Sequence, residues 1–295
     1  MHTKTFPLLS TMVTAGLLLP LTVMAQEATS IAPPPPEAPA ETTVQAPAEE
    51  EVGGGVGLNV DVGVASAYVW RGLNLWEPTE NDKQHLTLFP SATMAIDSLW
   101  FGYWGAYQLS GENKGANVDI GVGAEQDLFL GYDFALTDEL GLSIFATYYL
   151  YPFADEEVTG VSTPMFLEPS ASVGYSTVVD LGLSASWYKG LQDETDAISH
   201  LYIKPSVSKE VELAPDLSLG VGAGFGYKIW TGDYDSENGN NWDVQGDVGV
   251  TYAMDALYFA PAVHVAFTDV PDAVESSSDG LSYWASLNVG YDFAF

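Results

Sequence analysis

The sequence predicts an all-β protein: a transmembrane antiparallel up-and-down β-barrel of about twelve strands, preceded by a disordered N-terminal linker. Three observations predict it. From Val56 onward, apolar residues alternate with small or polar ones at a period of two, the mark of strands with two unlike faces. The connections between these stretches alternate between tight and long. Aromatic residues on the apolar register gather near both ends of the stretches, leaving Leu, Val, Ile and Ala between them.

Lys4 and the apolar run 6–25 read as a secretory signal, with Thr22-Val-Met-Ala25 offering small residues for cleavage before Gln26. Residues 26–55 are rich in Ala, Pro, Glu and Thr, with prolines at every position from Pro33 to Pro36. Such a segment has no core to bury and is expected to be a disordered spacer in the periplasm, ending in the Gly53-Gly-Gly55 hinge. The barrel then takes 56–295. The formal charge of -32, with eight Lys and Arg in 295 residues, excludes nucleic acid as a partner, because phosphate binding needs clustered cations. Cysteine is absent, so an exported chain must be held by its packing and a closed sheet. Charged residues make up 16% of the chain and aromatics 13%, a balance suited to a surface that faces hydrocarbon.

The first strand is expected to carry Leu58, Val60, Val62, Val64, Tyr68 and Trp70 on one face, and Asn59, Asp61, Gly63, Ala65, Ala67 and Arg71 on the other. Further strands are expected at 85–96, 99–109, 118–136, 140–151, 164–176, 180–188, 199–211, 217–229, 242–253, 257–268 and 281–295. Most exceed the ~9–11 residues that cross a bilayer at a slant. The connections 97–98, 137–139, 178–179, 214–216 and 254–256 are tight. Those at 76–84, 110–117, 152–163, 189–198, 230–241 and 269–280 are long, and in such barrels the short turns are periplasmic.

Two aromatic belts follow from the apolar register. Trp70, Tyr107, Tyr148, Trp187, Tyr227, Trp242, Phe267 and Tyr283 lie beside long connections; Phe101, Phe134, Tyr175, Tyr252, Phe259 and Phe293 lie beside tight ones. The opposite face is Gly, Ser, Thr, Asp and Lys, including Gly220, Gly222, Gly224 and Gly226 in one strand, and is expected to face water. The last stretch, alternating from Leu281 to Phe295, resembles the closing strand of bacterial outer-membrane barrels. That resemblance implies recognition by barrel-assembly machinery, with outer-membrane lipid and lipopolysaccharide as surroundings.

Ala65-Ser-Ala-Tyr-Val-Trp-Arg-Gly-Leu73 resembles the opening strand of the TorF-like putative porin family, in which a Ser, an aromatic and an Arg-Gly pair end strand one. Ser66, Tyr68, Trp70, Arg71 and Gly72 fit that pattern, and Phe101-Gly-Tyr-Trp-Gly105 is similar to the family's third strand. The stretch from Leu73 to Pro78 departs from it. The resemblance covers the first strands and implies an outer-membrane location in a Gram-negative bacterium.

The inward register holds Asp61, Asp119, Glu125, Asp127, Asp133, Glu168, Asp243, Asp247 and Asp292 against Arg71, Lys204 and Lys228. An ionisable residue inside a membrane protein is a functional candidate by default. An acidic excess favours cations; the alternative is that these charges pair and brace the wall, as Lys228 and Asp243 are placed to do. Large rings on the same face, Trp104, Phe145, Tyr202 and Tyr258 among them, are expected to constrict the lumen. The reading is a porin-like channel for passive diffusion of small solutes, narrow and weakly cation-preferring. Its alternative is a non-conducting structural or surface-binding barrel with acidic loops.

Asp233, Asp235 and Glu237 form a weak calcium-loop pattern, with the glycine one place late, and point at most to loosely held Ca2+. No other cofactor is expected. An enzyme is not expected either, because His85, His200 and His264 have no spacing that ties them to a nucleophile.

Overall fold

The computed structural model describes residues 56–75, 85–110, 123–152, 163–196, 198–232, 240–269 and 280–295. Twelve strands pair in sequence order, each antiparallel to its neighbours, and the last closes on the first. They are β1 (Val56–Ala65), β4 (Thr87–Ile96), β5 (Leu99–Gln108), β6 (Gly123–Ala135), β7 (Leu140–Leu150), β8 (Met165–Ser176), β9 (Asp180–Gly190), β10 (His200–Ala214), β11 (Leu217–Trp230), β12 (Asn241–Met254), β13 (Leu257–Asp269) and β14 (Gly280–Ala294). β2 (Val69–Trp70) and β3 (Leu73–Asn74) form a separate two-stranded pair. The four-residue α1 (Asp193–Asp196) lies between β9 and β10, inside the long connection expected at 189–198. The proposed signal 1–25 and linker 26–55 lie outside the described residues.

Closure puts Val62 opposite Val289 and Ala65 opposite Ser286 across the β1–β14 seam. A closed ladder is what hydrocarbon requires, since an open edge would leave backbone groups without water or partners. The outward register is apolar and uncovered: Val263 is 60% exposed, Leu281 56% and Leu130 55%. A continuous apolar surface of this kind is unlike that of a water-soluble monomer and matches a lipid-facing wall. Both aromatic belts are on this wall, with Trp187, Tyr227, Phe267 and Tyr283 towards the long connections and Phe101, Phe134, Tyr175, Tyr252 and Phe293 towards the tight turns. At two of those turns Asp97 and Asp255 adopt φ of 51° and 52°, left-handed geometry that Asp tolerates better than most residues.

The interior departs from a water-filled, glycine-lined tube. Over β1, β4–β6, β13 and β14 it is a packed apolar core that includes Phe89, Trp100, Trp104, Phe129 and Trp284. Trp100 and Trp104 are each 2% exposed. Several glycines make room for these rings rather than for water. Gly131 sits opposite Trp100 and Gly102 opposite Phe129, and a Cβ at either would overlap the facing ring. Gly290 serves Tyr258 in the same way. A strand pattern of glycine against aromatic is chemically the same as glycine against water when only one strand is read, which is why the sequence suggested a wetter lumen.

The other wall opens gradually. On β8 the inward residues pass from buried Phe166, Glu168 and Ser170 through half-buried Ser172 to exposed Gly174. On β10 they pass from buried His200 and Tyr202 through Lys204 to exposed Ser206. The lumen is therefore open towards the tight-turn end on this side and filled towards the long-connection end.

Candidate functional site

What fills the long-connection end is the chain itself. β1 stops at Ala65, five residues before the alternation in the sequence does, and residues 66–75 turn into the barrel. The Ser66 amide donates to the Ala285 carbonyl at 2.9 Å, and the Ala285 amide donates to Ser66 Oγ at 3.1 Å, which fixes the point of departure from the wall. Val69 pairs with Asn74 and Trp70 with Leu73, leaving Arg71-Gly72 as a two-residue turn. Both have positive φ, 49° and 81°, as a primed hairpin turn needs. The Leu75 amide donates to the Tyr68 carbonyl at 2.8 Å. A Cβ on Gly72 would come within 2.8 Å of Thr268 Cβ and 2.9 Å of Asp243 Cβ, so the tip rests directly on β12 and β13.

This corrects the sequence reading of the first strand. Tyr68 and Trp70 are not on the outer face, and Trp70 is not in the belt. Alternation persists through the hairpin because its two sides also face different neighbours, and that made it indistinguishable from a longer strand.

The hairpin crosses the lumen. Near its root the Tyr68 ring packs edge-on against Phe89 (centroids 5.4 Å apart) and tilted against Trp104 (5.8 Å), and its hydroxyl donates to Glu125 Oε2 at 2.8 Å. At the far side Arg71 reaches β8, β9 and β10. Its Nη2 donates to Glu168 Oε1 and Oε2 at 2.8 and 2.9 Å and to Ser186 Oγ at 3.2 Å. Its Nη1 meets His200 Nε2. His200 Nδ1 lies 2.9 Å from the Ile198 carbonyl, which can only accept, so Nδ1 carries the proton and Nε2 accepts from the guanidinium. The guanidinium also lies 4.3 Å from the ring centroids of Trp70 and Tyr202. Planar, fork-shaped and always charged, arginine is the side chain suited to such a socket.

Around it the wall is braced. Tyr149 donates to Glu168 Oε2 at 3.3 Å, Tyr202 to Asp243 Oδ2 at 3.0 Å, and Gln245 to Asp243 Oδ1 at 2.8 Å. Phe166 and Tyr188 stack at 4.4 Å. Lys228 lies 5.5 Å from the Trp70 ring and 5.1 Å from Trp230. On the rim, Asp196 is ion-paired with Lys189 and accepts from Ser199 Oγ at 2.8 Å. Those two hydrogen bonds hold its carboxyl below the usual carboxylate range.

The remaining candidates lie elsewhere along the barrel. Asp61 accepts from Tyr258 at 2.9 Å and Asp292 from Asn59 at 2.8 Å, a cluster that bridges the β1–β14 seam near the tight turns. Lys204, on β10, lies over Gly224 and Asp247, on β12, over Gly222, with β11 between them. Asp133 pairs with Ser143 Oγ at 2.5 Å. Trp104 and Phe145 belong to the apolar packing, Tyr202 to the arginine socket and Tyr258 to the seam, so these four rings fall in three clusters rather than one constriction. Asp119, Asp233, Asp235 and Glu237 lie outside the described residues. Ser186 and His200 were not among the predicted lumen residues; the signal for the socket was Arg-Gly between Val-Trp and Leu-Asn, a short hairpin written inside an apparent strand.

No protein-family model matches the chain, and no curated protein does. Among solved structures, the fold is similar to the KdgM porin (8% identity, TM-score 0.48), over 80% of this chain and 99% of that one. It is also similar to an outer membrane channel from Pseudomonas putida F1 (11%, TM-score 0.49; 85% and 100%) and to LpxR from Salmonella typhimurium (10%, TM-score 0.43; 79% and 99%). Likenesses this distant assign neither activity nor substrate.

Proposed function

We propose that the protein is a narrow outer-membrane channel for small solutes, weakly cation-preferring, whose lumen is throttled by the hairpin 66–75. The observation that carries this reading is the one-sided lumen. An open wall of Ser172, Gly174, Ser184 and Ser206 leads from the tight-turn end to a bar that is held by polar contacts. A structural plug would be cemented by apolar packing at both ends; this one is apolar at its Tyr68 root and ionic at its Arg71 tip. The acidic excess towards the tight-turn end, at Asp61, Asp247 and Asp292, favours cations. The lipid-facing wall supports a place in the outer membrane of a Gram-negative bacterium, and kinship with the TorF-like porins rests on residues 66–72, which make the bar itself.

Purified protein in a planar bilayer is expected to give small unitary currents whose reversal potential in a salt gradient favours the cation. Anion preference would end this reading.

A second reading is favoured by the burial of the bar: Arg71, Tyr68 and Asn74 are each at most 2% exposed, so the barrel is shut at that level. In that case the protein is a non-conducting barrel that presents its loops. Silence from both the wild type and a variant with a released hairpin supports this second reading.

A further inference from the structure

We propose that Glu125 and Asp127 form a binding site for one hard metal cation at the root of the hairpin. Both are on the inward face of β6, two residues apart and 3% and 0% exposed. Trp104 and Tyr149 are the cross-strand neighbours of Asp127, and Ala106 is that of Glu125. Glu125 accepts the Tyr68 hydroxyl through Oε2. Among the described residues, the group within hydrogen-bonding reach of the Asp127 carboxyl is the carboxyl of Glu125, which has nothing to donate while both are ionised. Its close electrostatic neighbours are the carboxylates of Glu125 and Glu168.

This arrangement places acceptor against acceptor away from water. The third acid, Glu168, is already matched by Arg71. Among the described residues that leaves two negative charges with no ion pair to Lys or Arg, and Lys228 lies beside the rings of Trp70 and Trp230. Burying two charges without a counter-charge is prohibitive, so the pair must either share a proton or hold a cation between the carboxylates. The donors are all oxygen: two carboxylates and the hydroxyls of Tyr68 and Tyr151, both of which hydrogen-bond Glu125. Oxygen-only sites suit hard cations of the calcium and magnesium type, and a charge of two matches a divalent ion. Among the described residues no three His, Cys, Asp or Glu side chains converge on one point, so the two carboxylates carry the site. A bound ion would tie Tyr68, and with it the root of the hairpin, to β6. The site is separate from the acidic run at Asp233, Asp235 and Glu237, and it does not depend on the barrel conducting.

The test uses the full chain, chelator-treated in detergent, with Tb3+ as probe and Ca2+ as competitor. Trp104 and Tyr149 flank the site, so excitation of the rings is expected to sensitise Tb3+ emission that saturates at one ion and is displaced by Ca2+. Asp127→Asn is expected to weaken this binding by about tenfold or more, while the loop variant Asp233→Asn/Asp235→Asn/Glu237→Gln keeps it. Glu125→Gln is expected to do the same as Asp127→Asn and carries the test if the latter does not fold, folding being checked by the strand signal in circular dichroism. Wild-type emission unchanged in folded Asp127→Asn or Glu125→Gln, or no ring-sensitised emission in the wild type, overturns the site. The second outcome leaves a shared proton as what joins the two carboxyls.

Discussion

Replacing Arg71 with alanine is expected to cost about 3–5 kcal/mol of stability and to raise the unitary conductance. The energy follows from what is left behind. Glu168, 6% exposed, would lose the Arg71 counter-charge and both of its short hydrogen bonds, and removing one member of a buried ion pair typically costs this much. His200 Nε2 would lose its donor, and the rings of Trp70 and Tyr202 would lose the cation between them. Alanine would also inherit the left-handed backbone at position 71 without the contacts that hold it there. The change in conductance follows from position: the socket is where the bar is fastened to β8–β10. Arg71→Lys keeps the charge but not the fork and should lie between. Glu168→Gln added to Arg71→Ala should recover part of the loss, because the orphaned charge is gone. Urea unfolding in detergent and bilayer recordings measure the two effects. A variant that matches the wild type in both would mean that Arg71 fastens nothing.

Val263→Arg is the other large effect. Val263 is at the middle of β13, 60% exposed on the outer register, between Val248 and Ala285. If acyl chains touch it, arginine there should cost about 2–4 kcal/mol, the penalty at the bilayer midplane. If water touches it, the change should stay within about 0.5 kcal/mol, as for an ordinary surface site. Ser206→Arg, exposed on the inward register of β10, is the control and should be nearly neutral.

The barrel was legible because lipid-facing strands are written in a period of two that no loop imitates for long. Strand order, the alternation of turn lengths and the outward register at Val62, Leu130, Val263 and Val289 could all be read from residue order alone. The inward register was also legible, and Glu125, Asp127, Glu168, Lys228 and Asp243 are all buried inside. What could not be read was the path of residues 66–75. Tyr68-Val-Trp continues the alternation, and only the two-residue turn at Arg71-Gly72 marks the fold inward. The partners of Arg71 were illegible for a related reason: Glu168, Ser186 and His200 are 97, 115 and 129 residues away in sequence, and the closed ladder alone brings them together. The glycines misled because a gap in one strand is filled from the next, as Gly131 is by Trp100.

The most direct test of the account asks what medium meets each face. The chain has no cysteine, so single nitroxide labels can be placed at Val263→Cys and Ser206→Cys in protein reconstituted into vesicles. Accessibility is then read by collision with oxygen, which concentrates in hydrocarbon, and with a water-soluble nickel chelate. The account predicts oxygen-dominated relaxation at position 263 and chelate-dominated relaxation at position 206. Chelate access to position 263 equal to that at position 206 would contradict it.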